Sequence, residues 1–243
     1  MSNISIEVKN VSYAYEKGNR ILTDLSFSVG EGESVGIIGA NGVGKSTLLK
    51  MMAGLLLDFS GEIRINGMAV TKQNLADIRA RIGYVFQDSD SQLFMATAYE
   101  DIAFAPRNYG FSEEEVQQRV EAALKLTHTE HLRDKQIYKM SGGEKKLISI
   151  ATILSMTPDI ILMDEPTTAL DPKNRRNLIN LLNSFPQIKL IASHDLDFVL
   201  DTCSRTILMA QGGIICAGRT EEILHNRQLL EENGLELPLS VRG

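Results

Sequence analysis

The feature that most constrains this chain is a glycine-rich segment, Gly39-Ala-Asn-Gly-Val-Gly-Lys-Ser46, which matches the pattern G-x-x-x-x-G-K-[ST] without deviation. It stands between a short apolar run at Ser34–Gly39 and a stretch with helical apolar spacing at Thr47–Leu57. A strand, such a loop and a helix in that order bind phosphate, because the glycines let backbone N–H groups point inward and the helix N-terminus adds positive potential. The alternative, a glycine-rich turn without a ligand, does not explain this order.

Individual residues of the segment have separate predicted roles. Lys45 is expected to reach the β- and γ-phosphates of a nucleotide, and the Ser46 hydroxyl is expected to take a Mg²⁺ position. Further contacts to the phosphates are expected from the rest of the loop and the first turn of the helix, namely Gly39, Asn41, Gly42, Gly44 and Thr47.

A second motif is an apolar run that ends in two carboxylates, Ile160-Ile-Leu-Met-Asp164-Glu165. An apolar run of this length predicts a central parallel strand, with Asp164 at its carboxyl end and near the phosphate loop. Asp164 is expected to hold Mg²⁺, directly or through water, and Glu165 to polarise the attacking water. Two solvated carboxylates at a strand end are the alternative, which the phosphate loop in the same chain makes less favourable.

The rest of the chain alternates β-rich and helical patterns, which predicts an α/β fold. The further predicted strands are Ile4–Tyr15, Glu62–Ile65, Ile82–Phe86, Lys189–Ser193 and Thr206–Met209. From Asp88 to Thr157 helical signals replace the strand signals. A capping box opens one helix at Ser112, and Ser141 with Glu144 opens another over Gly143–Met156.

We therefore expect one domain over residues 1–243. Its α/β core covers residues 1–87 and 158–218, an inserted helical subdomain covers 88–157, and a short helical tail covers 219–243.

Composition limits the partners of the chain. Its 25 Lys and Arg against 31 Asp and Glu give a net charge of −6, so no basic field is available for nucleic acid. Two cysteines are too few for a disulfide framework and fit a reducing compartment. The N-terminus lacks the pattern of a signal peptide, and the apolar runs are far shorter than the roughly 20 residues of a spanning helix. Any membrane role is therefore expected to come through a partner.

The order of the motifs resembles that of the ATPase subunits of ABC transporters, over nearly the whole chain. The motifs are the phosphate loop, Gln87, Ser141-Gly-Gly143, Asp164-Glu165 with Ala169-Leu-Asp171, and Ser193-His194-Asp195. The resemblance implies a RecA-like P-loop NTPase core of the ABC type, with an N-terminal antiparallel β portion and an inserted α-helical subdomain. It also implies ATP and Mg²⁺ as ligands.

Single residues acquire roles from the same resemblance. Tyr15 matches the aromatic residue that stacks on adenine, with a buried strand-end aromatic as the alternative. Gln87 matches the loop glutamine that contacts Mg²⁺ or the attacking water. His194 matches the switch histidine at the γ-phosphate, whereas a histidine after a strand is otherwise usually structural.

The signature segment implies a second ABC ATPase subunit, either another copy or a relative, arranged head to tail. Ser141, Gly142 and Gly143 match the signature that binds ATP held by the opposite subunit. Asp171 matches the loop that joins the two sites, although Asp171-Pro172 is also an ordinary helix start.

Three positions depart from the family pattern: Met140 where it usually has Leu, Glu144 where it usually has Gln, and Leu147 where it commonly has Arg. The carboxylate is expected to weaken ATP binding, and Lys145 and Lys146 are expected to offset it.

The segments Val85–Phe94 and Glu100–Gly110 resemble the ATPases of energy-coupling factor (ECF) importers, including their cobalt and nickel branch. In that family a groove after the loop glutamine receives a helix of the transmembrane coupling subunit. Asp88, Asp90, Gln92 and Phe94 fall in this groove, and acidic and apolar groups together suit an Arg-bearing helix. A solvated loop is the alternative.

This resemblance implies uptake of cobalt or nickel ion or a vitamin at the cytoplasmic face of the membrane. Two other functions share the nucleotide motifs. One is the ATPase of a conventional ABC importer or exporter, which should lack the groove segment. The other is a soluble clamp on nucleic acid or ribosomes, for which the chain has neither a long insertion nor a second such domain.

Overall fold

The computed structural model describes residues 5–16 and 19–242 and contains two compact units. The first unit comprises Met1–Ile82, Asp159–Asp164 and Pro186–Gly243, and the second comprises Gly83–Pro158 and Glu165–Phe185. The second unit thus includes the segment after Asp164, which the division drawn from the sequence assigns to the α/β core.

The secondary-structure elements alternate along the chain. The strands are β1 (Ile6–Glu16), β2 (Asn19–Val29), β3 (Ser34–Ile38), β4 (Ser60–Ile65), β5 (Met68–Ala69), β6 (Ile82–Val85), β7 (Ile160–Asp164), β8 (Ile188–Ala192), β9 (Arg205–Ala210) and β10 (Gly213–Arg219). The helices are α1 (Lys45–Met52), α2 (Leu75–Arg79), α3 (Ala98–Asn108), α4 (Glu113–Leu126), α5 (Gly142–Leu154), α6 (Pro172–Ser184), α7 (Leu196–Thr202), α8 (Thr220–Leu224) and α9 (Arg227–Glu232).

An antiparallel sheet in the order β2-β1-β4-β5 forms one layer of the first unit. Ile6 pairs with Val29 on one side and with Ile65 on the other. Ile6 and Val8 are both buried, and Glu7 between them is only partly buried. The antiparallel β portion expected from the sequence is confirmed. Ile4, the predicted start of the first strand, lies outside the described residues. The predictions omitted β2, β5 and β10.

The central layer of the first unit has the strand order β10-β9-β3-β8-β7. β3 pairs in parallel with β8 and β9, and β7 pairs in parallel with β8, whereas β10 is antiparallel to β9. Every residue of β3, β7 and β8 is buried, which explains why these strands are mostly apolar; the polar exceptions are Ser34, Asp164 and Lys189. Parallel pairing places the carboxyl ends of these three strands at one edge of the sheet.

The helix after the phosphate loop is shorter than predicted. It ends at Met52, and Gly54 follows with φ +65° in the left-handed region. This backbone conformation favours glycine, and any larger residue would also have to displace the Leu75 side chain, because a Cβ atom at Gly54 would lie 2.2 Å from Leu75 Cδ2. The predicted extension of the helix to Leu57 is therefore wrong.

The second unit contains α3, α4 and α5, which pack against one another. Ser112 caps α4 and Ser141 caps α5, each with a complete capping box, as the sequence predicts. The middle of α5 is buried throughout, and both other helices contact it. Its apolar residues are therefore not restricted to one face.

Both cysteines are free thiols. Burial raises the pKa of the Cys203 thiol to about 11, which keeps it protonated and unreactive at neutral pH. No helix among residues 5–16 and 19–242 has the length and apolar character needed to cross a membrane.

The α4 capping box yields a stability prediction. Ser112→Ala removes the oxygen that accepts the Glu115 N–H, so it is expected to lower the free energy of unfolding by about 1 kcal/mol in urea denaturation. Glu114→Ala, at an exposed position in the same turn, is the control and is expected to change it by less than about 0.5 kcal/mol. Equal effects of the two substitutions would contradict the capping role.

Candidate functional site

The phosphate loop has a backbone that two of its glycines make possible. Gly39 has φ +150°, and a Cβ atom there would lie 2.3 Å from the Met209 carbonyl oxygen. Gly44 has φ +105°, and a Cβ atom there would lie 2.4 Å from Leu22 Cδ2. The loop leads directly into α1, whose first backbone N–H groups have no acceptor within the helix. This end of α1 is suited to an anion.

Lys45 places a positive charge inside the loop. Its Nζ donates to the carbonyl oxygens of Gly39 at 2.7 Å and Ala40 at 3.2 Å, and the residue is only 7% exposed. The ammonium group therefore links the end of the phosphate loop to its first two residues. A phosphate held by the loop would lie beside a charge that is already largely desolvated, which strengthens the attraction.

Ser46 and Asp164 meet at the carboxyl edge of the parallel sheet. The Ser46 Oγ donates to Asp164 Oδ1 at 2.8 Å, and Asp164 is buried at the end of β7. The expected proximity of these two residues is confirmed. A carboxylate and a hydroxyl oxygen side by side are hard ligands of the kind that Mg²⁺ prefers, so the residues present fit this ion.

Tyr15 and His194 are exposed residues of the first unit. The Tyr15 side chain is 56% exposed and its hydroxyl lies 3.2 Å from Thr47 Oγ1, so the alternative of a core aromatic is excluded. His194 follows β8 directly, and the Ser193 N–H before it donates to the Ile37 carbonyl of β3 at 3.2 Å. His194 therefore belongs to the same sheet edge as the phosphate loop.

Glu165 begins the second segment of the second unit, immediately after Asp164. It is buried and has φ +47°, a left-handed conformation that costs a non-glycine residue roughly 1–2 kcal/mol. Strain of this kind is concentrated at functional positions. Asp171 is the N-cap of α6, where it accepts the Asn174 N–H at 2.8 Å. The helix-start role is confirmed, and a role between subunits stays a prediction.

The signature segment forms the N-terminus of α5. The Glu144 carboxylate accepts bonds from the Ser141 N–H at 2.7 Å and from Lys135 Nζ at 2.7 Å. These bonds, chiefly that from Lys135, hold the pKa of Glu144 below its ordinary value. The negative charge that Glu144 introduces in place of the usual glutamine is thus neutralised within the second unit.

The expectation that Lys145 and Lys146 offset this charge is wrong. Lys145 Nζ binds Asp90 Oδ1 at 2.5 Å, and Lys146 Nζ binds the main-chain oxygens of Phe86 and Gln87. The compensating cation, Lys135, was missed because it precedes the helix and meets Glu144 only in the folded chain.

Gln87 is exposed, and two side chains that the sequence analysis did not assign to this position hold the backbone of Phe86 and Gln87. One is Lys146. The other is Gln92, whose Oε1 accepts the Phe86 N–H at 3.1 Å and whose Nε2 donates to the Ser149 carbonyl at 2.7 Å. The contact from Lys146 had a signal in the sequence, because this lysine lies within the apolar run of α5.

A phosphate loop after the first parallel strand, with a buried acidic strand end beside its serine, defines the class of P-loop nucleotide-binding proteins. The chain matches the family described as ABC transporter over residues 22–168, and it belongs to that family. It is an ABC ATPase and binds ATP.

Two relatives align over almost the whole chain. A Geobacter sulfurreducens protein, whose name assigns it provisionally to the ABC transporter ATP-binding proteins, is 45% identical and is matched over 100% of this chain and 98% of its own length. The energy-coupling factor transporter ATP-binding protein EcfA of Carboxydothermus hydrogenoformans is 38% identical, over 99% of this chain and 90% of its own.

Two solved structures have the same ABC ATPase fold. The cbiO1 protein of Clostridium perfringens, described as part of the ABC transporter complex cbiONQ, has a TM-score of 0.83 and 34% identity over 95% of this chain and 94% of its own. An ATP-binding cassette in a dimeric post-hydrolysis state, bound to ADP and Pi, has a TM-score of 0.81 and 28% identity over 88% of this chain and 98% of its own.

The position of Lys45 yields a binding prediction. Lys45→Ala removes the charge inside the loop and is expected to abolish measurable ATP binding in titration calorimetry. Lys50→Ala, on the same helix but outside the loop, is the control and is expected to bind ATP like the parent. Unchanged ATP affinity in Lys45→Ala would contradict the assignment of this loop.

Proposed function

We propose that this ATPase powers an importer of the energy-coupling factor type, which takes up cobalt or nickel ion or a vitamin, from the cytoplasmic face of the membrane. The observation that carries the proposal is an exposed aromatic pair, Phe94 and Phe104, directly after the Gln87 segment. The likeness to EcfA of Carboxydothermus hydrogenoformans supports it.

The ATP site is proposed to use the residues of the first unit for binding. Lys45 and the loop N–H groups bind the phosphates, with Gly39, Asn41, Gly42, Gly44 and Thr47 lining them, and Tyr15 stacks on adenine. Ser46 and Asp164, together with Gln87, would hold Mg²⁺. When bound, this ion neutralises charge on the β- and γ-phosphate oxygens.

Hydrolysis is proposed to depend on Glu165 and His194. Glu165 accepts a proton from the attacking water, and its burial and strained backbone favour a fixed orientation of the carboxylate. His194 contacts the γ-phosphate, where an imidazole N–H stabilises the charge that develops as the phosphate leaves.

The working form is proposed to be a head-to-tail dimer of two copies. The phosphate loop belongs to the first unit and the signature residues Ser141, Gly142 and Gly143 belong to the second. In the dimer the signature of each copy binds ATP held by the other, and Asp171 joins the two sites. The dimeric state of the cassette bound to ADP and Pi supports this arrangement.

The proposed docking surface consists of Asp88, Asp90, Phe94 and Phe104. Phe94 is 65% exposed and meets Phe104 edge to face, with ring centroids 4.8 Å apart. Leu93, the residue before Phe94, is buried and contributes no apolar area to this surface. The Gln92 side chain is hydrogen-bonded to α5, so it holds the docking surface in place rather than facing a partner.

Acidic and aromatic groups on this surface suit an arginine-bearing amphipathic helix of a transmembrane coupling subunit. The Asp90 side chain is 66% exposed although it is paired with Lys145, and Asp88 is exposed as well. Asp101 fixes the aromatic residue, because its carboxylate accepts the N–H groups of Phe94 and Met95. Burial raises the pKa of Asp101.

Substitution of the aromatic residue tests the proposed function. Phe94→Ser removes the most exposed apolar group of the docking surface and is expected to reduce copurification with the membrane subunit at least about tenfold. It is also expected to abolish uptake, while ATP binding by the isolated chain is unchanged. The readouts are a detergent pull-down, uptake of radiolabelled substrate and ATP titration.

Tyr138→Ser is the matched control, because Tyr138 is a 73% exposed aromatic residue of the same unit outside the docking surface. It is expected to assemble and transport like the parent. Normal assembly and uptake in Phe94→Ser would remove the support for the importer function. Binding to soluble nucleic acid or ribosomes in place of a membrane protein would favour the other class.

A further inference from the structure

Lys146 is a buried lysine on α5 with only 2% of its surface exposed. Its Nζ donates to the main-chain oxygens of Phe86 at 2.9 Å and Gln87 at 2.7 Å. Removing an ammonium group from water costs several kcal/mol unless strong acceptors replace the solvent. Two adjacent carbonyl oxygens with charge-assisted bonds supply that replacement.

The same short segment is held on its other side by Gln92. Its Oε1 accepts the Phe86 N–H at 3.1 Å, while its Nε2 donates to the Ser149 carbonyl and to Thr152 Oγ1 of α5 at 2.7 and 2.8 Å. The N–H of Phe86 and the carbonyls of Phe86 and Gln87 are therefore all bonded through side chains to one helix. The Gln87 side chain itself is exposed.

We propose that Lys146 is a positioning residue for ATP hydrolysis, which orients Gln87 by holding the Gln87 main-chain carbonyl. The inference rests on the proposed role of Gln87 at the nucleotide. An exposed side chain on an unrestrained loop samples many orientations, and fixing its peptide group removes much of that freedom. The restraint also ties Gln87 to the helix that begins with Ser141, Gly142 and Gly143.

The buried surroundings of position 146 on α5 do not by themselves explain why a lysine is found there. The neighbouring buried residues of α5, such as Leu147, Ile148 and Ile150, are apolar. The two main-chain carbonyl oxygens that accept hydrogen bonds from Nζ give a reason for a lysine at this position. The consequence is that neutralising Lys146 should alter turnover more than nucleotide affinity.

The test is a double-mutant cycle on ATP hydrolysis by the complete chain. Lys146→Met keeps most of the length and volume of the side chain but removes its N–H donors. It is expected to lower kcat roughly tenfold while KM for ATP changes less than about twofold. Lys125→Met, at an exposed position on α4, is the control and is expected to retain the parental kcat.

The decisive comparison uses Gln87→Ala. If Lys146 acts through Gln87, Lys146→Met causes no further loss of kcat in the Gln87→Ala background. Multiplying losses would overturn the inference and leave the role of Gln87 intact. A parental kcat in Gln87→Ala alone would overturn both.

A second variant guards against failure to fold. Lys146→Gln keeps one amide donor without a buried charge, and it enters the same cycle if thermal denaturation shows that Lys146→Met is unfolded. It is expected to give a smaller loss of kcat than Lys146→Met, with the same absence of further loss beside Gln87→Ala. A parental kcat in Lys146→Gln together with a raised KM for ATP would contradict a positioning role.

Discussion

The hydrogen bond between Ser46 and Asp164 depends on the parallel pairing of three strands. β3 leads into the phosphate loop and β7 ends at Asp164, and β8 between them keeps their carboxyl ends at one edge. Without that register the 2.8 Å contact between residues so distant in the chain could not form. Every residue of β3, β7 and β8 is buried, so a shift in register would disturb side-chain packing on both faces of the sheet.

Local signals in the sequence predicted the parts of the molecule that depend on local rules. The phosphate loop, the buried strand before it and the capping boxes at Ser112 and Ser141 are each contained within a few residues. The helix after the loop was predicted too long because the apolar spacing continues to Leu57, and the glycine at position 54, a local signal for a helix end, was not weighed against it. β10 was also missed, and none of its residues is fully buried.

The side chains around the signature helix could not be predicted in the same way. Lys135 reaches Glu144, Lys145 reaches Asp90 and Lys146 reaches the Gln87 carbonyl only after the helix has packed. Charge counting along the sequence places the two adjacent lysines beside Glu144, whereas the helix geometry directs them elsewhere. These three contacts give the second unit a neutralised signature end and a restrained Gln87 segment, both of which suit the proposed site.

The most direct test of the account is mixed-subunit complementation of ATP hydrolysis. Lys45→Ala subunits lack the phosphate-binding charge and Ser141→Arg subunits lack a usable signature, so each alone is expected to be inactive. A mixed dimer contains one intact composite site, and equal mixing is expected to restore up to about a quarter of the parental activity by random pairing. Activity that stays at the sum of the two variants at every ratio, with a parental rate per subunit independent of concentration, would contradict the composite site.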